Sequence, residues 1–233
     1  MDLKLISKIK NMQKKIFIIV LSFFLCSFVL GTPQMPDNIF YKGKKYCLLH
    51  NFPMDSYFKK YPEKHPRKDF YISTALKRGY LATFEIKENQ LYVKDIESRI
   101  QGTKIDEKGK VVPNFKSVMN EVFPNKKLVK INWVTGLFVL PVEKANLNVA
   151  YGDYPIYENY IILEIEKGIL IREKELTHEE YVTFKKKQFE AFKKTEEYEK
   201  LITTFLKKSW TVEEIDKNVE YMIIEYSTRF LVD

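Results

Sequence analysis

Tyr80-Leu81-Ala82-Thr83-Phe84-Glu85-Ile86, followed by Lys87-Glu88-Asn89-Gln90 and then Leu91-Tyr92-Val93, decides the fold class of this chain. Tyr80, Ala82, Phe84 and Ile86 alternate with Thr83 and Glu85, so an extended backbone puts the apolar four on one face and the polar pair on the other. Four polar residues interrupt the run before a second apolar run begins, which predicts a β-hairpin.

The same unit recurs along the chain. Ile39-Phe40-Tyr41 and Tyr46-Cys47-Leu48-Leu49 flank Lys42-Gly43-Lys44-Lys45. Ile105 and Val111-Val112 flank Asp106-Glu107-Lys108-Gly109, and Ile161-Ile162-Leu163 and Ile169-Leu170-Ile171 flank Glu166-Lys167-Gly168. Glycine turns between β-branched runs favour an antiparallel sheet over βαβ units. Leu128 to Leu140 reads as one long apolar strand region with a bulge or corner at Gly136. Asn51 to Lys68 carries Pro53, Pro62 and Pro66 among aromatics and lysines. Each proline disfavours helix at the residue before it, so this stretch is expected to be an irregular surface excursion, suited to a binding loop.

The pattern changes after Leu176. Thr177-His178-Glu179-Glu180 and Thr211-Val212-Glu213-Glu214 both fit a capping box, in which the threonine accepts from the third amide and the glutamate reaches back. Tyr198, Leu201, Ile202, Phe205 and Leu206, and then Val212, Ile215, Val219, Met222 and Tyr226, recur at helical spacing. The fold class is therefore α+β. A mainly antiparallel sheet domain spans 32–175, with open sheet, barrel and sandwich all compatible, and a C-terminal α-helical segment over 176–233 is packed on it or appended to it.

The segment 1–31 has the form of a signal peptide. Ile16 to Leu30 is uncharged, follows Lys14 and Lys15, and ends in Val29-Leu30-Gly31 just before Pro33. As a helix its fifteen residues rise only about 22 Å, short of the roughly 30 Å hydrocarbon core. Cleavage is expected after Gly31, and a start at Met12 would give a more compact leader, MQKKIFIIV. Lipid attachment at Cys26 is the competing reading, set against the bulky Phe24-Leu25 before it. Cleavage removes five lysines and one aspartate from 39 basic and 31 acidic side chains, so the net charge falls from +8 to +4. That small, mixed excess does not indicate nucleic acid, which calls for a concentrated basic stripe. Only Cys47 then remains, which excludes an intramolecular disulfide in the mature chain. The expected location is extracytoplasmic, periplasmic or secreted.

Motifs for chemistry are sparse. His50, His65 and His178 show no HxH, HExxH or CxxC context, so no metal is assigned. There is no GxSxG, Walker loop or GxGxxG, so no cofactor and no catalytic residue is assigned either. The candidate cluster, either ligand-binding or structural, is Arg78, Tyr80, Trp133, Tyr157 and Glu158. Arg78 could offer a planar five-donor fork to an anion, or pair with a carboxylate such as Glu158 to pin a loop on the sheet. Trp133, Tyr151, Tyr154 and Tyr157 could line a sugar- or peptide-binding face, or belong to the core. The lysines at 185–187, 193–194 and 207–208 could touch anionic lipid or wall polymer, or form a solvated helix face.

Four segments, STALKRGYLATFEI (73–86), LYVKDI (91–96), INWVTG (131–136) and YGDYPIYENYIILEIEKG (151–168), occur in an order that resembles an uncharacterised bacterial protein family. The family pattern runs STAxxRGYxAxWEI, LYLxxI, xWxTG and YGxxYE ahead of a strand ending in glycine. The likeness covers roughly 39–171. Phe84 stands where the pattern has Trp, and Pro141-Val142-Glu143-Lys144 replaces a more glycine-like turn. The resemblance implies a β-rich domain with no assigned activity. Taken together, the sequence points first to an exported, non-catalytic binding or interaction protein of the bacterial envelope, with a protein or glycan partner. An envelope hydrolase acting on a polymer, and an inhibitor or immunity-type protein, are the alternatives.

Overall fold

The computed structural model describes residues 34–66, 73–143, 146–151 and 154–233, and the segment read as a signal peptide lies outside the described residues. The compact unit runs from Pro33 to Asp233. Its strands are β1 (Asp37–Tyr41), β2 (Lys44–Leu48), β3 (Tyr80–Lys87), β4 (Gln90–Ile105), β5 (Val111–Ser117), β6 (Val129–Lys130), β7 (Gly136–Val142), β8 (Asn146–Tyr151), β9 (Tyr154–Ile156), β10 (Asn159–Glu166) and β11 (Ile169–Thr177). The helices are α1 (Pro53–Lys60), α2 (Met119–Val122), α3 (His178–Phe192), α4 (Glu196–Leu206), α5 (Val212–Tyr221) and α6 (Ile223–Tyr226).

Nine strands form one open, mostly antiparallel sheet in the order β2-β1-β3-β4-β11-β10-β7, with β5 and β6 also pairing β4. Strands β8 and β9 make a separate pair. The one departure from antiparallel pairing in the large sheet is β1 against β3, where Asn38, Ile39 and Phe40 face Thr83, Phe84 and Glu85. Of the three arrangements open to the sequence, the sheet takes the open one. Its end strands, β2 and β7, lie near each other, and an isolated bridge just after β2 joins Leu49 to Val139 without extending into a ladder.

Turn chemistry explains the hairpins. In β1–β2, β3–β4 and β10–β11 the registers close on two-residue turns, Lys42-Gly43, Glu88-Asn89 and Lys167-Gly168. All six residues have positive φ, between 47° and 78°. That left-handed pair matches the twist of the flanking strands. The second and third of these turns meet. Leu91 N donates to Gly168 O at 2.8 Å and Leu170 N to Asn89 O at 2.7 Å. Only Gln90 and Ile169 pair between β4 and β11, so this narrow seam joins the two halves of the sheet. Gln90 is buried there, its Nε2 within 3.0 Å of the carbonyl oxygens of Leu91, Ile131 and Gly168.

Two apolar clusters share the sheet. Ile39, Tyr80, Phe84, Leu91, Phe138 and Leu163 belong to one face, with α1 and α2 packed over it. Leu137, Val139, Tyr160 and Ile162 face the other way, onto α3, α5 and α6. Strands β7 and β10 are thus covered on both sides, which is why their sequences are near-continuous apolar runs without alternation. The helical segment is packed on the sheet rather than appended to it. Gln188 on α3 ties down the C-terminus by donating to Arg229 O and accepting from Leu231 N.

Two expectations are corrected. The 51–68 stretch is not irregular over its described part, 51–66: Pro53–Lys60 is helix, and Pro62–Lys64 is one turn of 3-10 helix, while 67 and 68 lie outside the described residues. Pro53 occupies the first helical turn, where its missing N–H has no partner to lose, with Asp55 beside it and Lys59 and Lys60 at the far end. Met54 and Phe58 are buried beneath it. Leu128 to Leu140 is not one strand but two, β6 and β7. Ile131 and Val134 leave the extended line to enter the core between them, and Gly136 opens the second strand.

Both predicted capping boxes form, at Thr177/Glu180 and Thr211/Glu214. Thr195 caps α4 as well. Substituting Thr177 or Thr211 by alanine is expected to lower unfolding free energy by about 1 kcal/mol each, a loss measurable by urea denaturation of the single variants.

Candidate functional site

Among the described residues, the structure brings three members of the sequence-derived cluster together and separates two. Arg78 lies just before β3 and does not reach Glu158. Its partner is Asp37 at the start of β1, whose two carboxylate oxygens accept from Arg78 Nη1 at 3.0 and 3.1 Å. Arg78 Nη2 donates to Met35 O at 2.7 Å, and the guanidinium lies over the Phe52 ring, 3.8 Å from its centroid. Asp37 also accepts from the Ala82 amide at 2.9 Å. The parallel β1–β3 pairing makes this contact inevitable, because it sets Asp37 alongside the start of the strand that Arg78 precedes. Glu158 is exposed, and no long-range β contact carries it to Arg78.

Tyr80 points into the core and donates to Asp55 of α1. Trp133 Nε1 donates to Pro53 O at 3.2 Å, and its ring packs on Tyr57. Arg78, Tyr80 and Trp133 therefore hold α1 and the β1–β3 junction through Arg78 Nη1 and Nη2, Tyr80 Oη and Trp133 Nε1, while Arg78 Nε is buried without a hydrogen-bond partner among the described residues. Burial raises Tyr80 far above the ordinary phenol range, with the Asp55 carboxylate adding to it. Asp37 is fully buried. Burial pushes its carboxyl up to about 6, outweighing the downward pull of Arg78 and of the Ala82 amide.

The sign of the linkage follows from that shift. An acid with a raised folded pKa contributes stability that is present in full below its unfolded value and is lost as pH rises through the folded one. The proton-linked part of Asp37's contribution is thus complete below about pH 3.8 and gone above about pH 6, separate from its contacts to Arg78 and the Ala82 amide. Carboxyl-carbon NMR over this range should show Asp37 titrating near 6.

A cavity of about 960 Å³ opens elsewhere, between the ends of β2, β9 and β10 and the helices α3 and α5. Leu49, Ile156 and Tyr160 come from the sheet side, and Tyr181, Val182 and Tyr221 from the helices. Tyr160 and Tyr181 stack with their centroids 4.3 Å apart. The remaining two predicted residues support this wall without lining it. Tyr157 N donates to Tyr160 Oη at 3.0 Å, and Glu158 O accepts from His178 N at 2.9 Å. The side chains of Tyr151 and Tyr154 lie outside the described ones.

Eight of the fifteen residues lining the cavity are charged or polar. His50 pairs with Glu225 at 3.3 Å. His178 lines the wall, and its Nδ1 is buried with no hydrogen-bond partner among the described residues. Glu214 is occupied in the α5 cap, where it accepts from Thr211 N and Oγ1. Lys185 is half-buried, with Nζ 5.1 Å from the Tyr181 ring centroid and 5.8 Å from that of Tyr221. Burial lowers its pKa, partly offset by Glu220. Of the lysine run, Lys187 is exposed as a solvated face would be, Lys186 is exposed but also lines the cavity, and Lys185 is half-buried in its wall.

Sequence reasoning missed this site because its walls come from segments more than a hundred residues apart. One local signal existed. Lys185 stands four residues after Tyr181 and four before Phe189, which puts it on the buried stripe of α3 rather than opposite it. Among the described residues no three His, Cys, Asp or Glu side chains converge as metal ligands, and no helix is long and apolar enough to cross a membrane. Comparison with protein-family models, with curated proteins and with solved structures finds no match.

Proposed function

We propose that this chain is an exported, non-catalytic binding protein of the bacterial envelope, and that its working site is the cavity between the sheet and helices α3 and α5. The observation that carries the reading is the cavity itself: about 960 Å³, with seven aliphatic or aromatic residues and eight charged or polar ones around it. Small-molecule sites have this size and combine apolar walls with polar groups. Such a wall suits a small ligand with an apolar body and a polar head, rather than the glycan or protein partner that the sequence put first.

Binding is preferred to hydrolysis on chemical grounds. A carboxyl general acid is expected beside its pocket. The carboxyl raised to about 6 is Asp37, which is sealed in the core and not part of the cavity wall. An inhibitor or immunity-type protein would act through a broad exposed patch instead of a recess. Export rests on the charged-then-apolar leader and the small residue at Gly31. A compact unit that begins at Pro33 is in keeping with it. The family resemblance adds only a β-rich domain with no assigned activity.

Titration of the mature chain, from Thr32 onward, with the uncharged dye Nile red tests the proposal. Saturable uptake of one dye per chain is expected, and Val182→Trp, which puts an indole into the cavity wall, should reduce it at least about tenfold. Uptake that never saturates, or that Val182→Trp leaves unchanged, would contradict it.

A further inference from the structure

Lys185 is the group around which the cavity makes chemical sense. An ammonium taken part-way out of water loses hydration, and proteins ordinarily compensate with a carboxylate or a set of oxygen acceptors. Lys185 has neither. Among the described residues no carboxylate comes within 4.0 Å of its Nζ, and it makes no hydrogen bond. The tyrosine rings above and below it give only a diffuse attraction. Glu220 acts on it through space, and Glu214 is engaged at the α5 cap.

The charge balance agrees. Three lysines line the cavity, Lys185, Lys186 and Lys217, against the two glutamates. One positive charge is left over in a recess whose other walls are Leu49, Ile156, Val182, four aromatic rings, Asn218 and two histidines. His50 is already paired with Glu225. His178 lies seven residues before Lys185 on the same helix, about 10 Å along its axis, too far to share one small head group. The groups placed against the Lys185 ammonium are the Tyr181 and Tyr221 rings, with Glu220 the charge that acts on it.

Resting on the reading of this cavity as a ligand site, we propose that it takes a small amphipathic monoanion, a carboxylate with an aliphatic or aromatic body. The head is held by Lys185, and the body lies against Val182, Tyr181 and Ile156. The lysine sets the charge of the ligand, and the apolar wall supplies most of the contact area. A single ammonium matches a single negative charge, which is the reason for placing a carboxylate there rather than a dianionic phosphate.

Isothermal titration of the mature chain with decanoate and with decan-1-ol tests this, since the two share a body and differ in the head. The wild type should bind one decanoate about tenfold or more tighter than the alcohol. Lys185→Met should bring decanoate down to the affinity of the alcohol, while saturable uptake of the alcohol and of Nile red persists and shows that the cavity is intact. Lys185→Arg should keep the preference for the acid. Equal affinities in the wild type, or a preference that survives Lys185→Met, would overturn the assignment of the anion. Failure of decanoate, decanol and Nile red alike would instead overturn the ligand site itself. Vesicles of phosphatidylglycerol present the anion on a surface and should not sediment the protein. Sedimentation lost in Lys185→Met, without uptake of decanoate, would replace the free acid by a membrane.

Discussion

Replacing Asp37 by alanine is expected to cost about 3–5 kcal/mol of unfolding free energy, because it strands the Arg78 guanidinium in the core. Asp37 is fully buried, and the Arg78 side chain is only 10% exposed. Removal of the carboxylate leaves Nη1 and the Ala82 amide without their acceptor. A protein of this size is stable by roughly 5–15 kcal/mol, so the variant should be close to unfolding at ambient temperature. Removing both charges is gentler. Arg78→Leu together with Asp37→Ala should recover part of the loss, since nothing charged then remains buried. Urea denaturation of the two single variants and the double variant would show this as a non-additive cycle. Strict additivity would mean that the pair contributes nothing beyond its separate contacts.

The second large effect is expected at Gly168. Its φ is +78°, and a Cβ built there would stand 1.9 Å from Ile131 O. An L-residue in that backbone region costs about 1–2 kcal/mol. Forcing a methyl group against a fixed carbonyl adds about 1–3 kcal/mol. The position cannot relax easily, because Gly168 N donates to Val134 O and Gly168 O accepts from both Leu91 N and Gln90 Nε2. Gly168→Ala should therefore lower stability by on the order of 2–5 kcal/mol. The matched change Gly109→Ala meets no neighbouring atom and should show only the backbone part. The comparison separates the close approach at the β4–β11 seam from the generic cost of a turn.

Local signals carried most of the fold. The alternation at Tyr80–Ile86, the two-residue turns and the capping boxes are each properties of a few adjacent residues, and each appears where the sequence put it. Signals that depend on distant neighbours were not legible. Nothing near Asp37 or Arg78 announces the parallel β1–β3 pairing, so the arginine was matched with Glu158 when a buried aspartate at the start of β1 was its partner. Pro53 was taken as a helix breaker, although in the first turn of a helix it is a helix starter. The candidate cluster divides for a related reason. Arg78, Tyr80 and Trp133 are distinctive because the core needs them, whereas the cavity is built from ordinary residues made special by where α3 and α5 lie on β10.

The most direct test of the account asks where a ligand lands. Methyl and amide NMR spectra of the mature chain, recorded during titration with decanoate, would report on both candidate surfaces at once. The account predicts saturable shifts confined to Leu49, Ile156, Val182 and their neighbours on α3 and α5, with Ala82 and the residues around Trp133 unmoved. Shifts centred on Trp133 and α1, or no saturable shift anywhere, would contradict it.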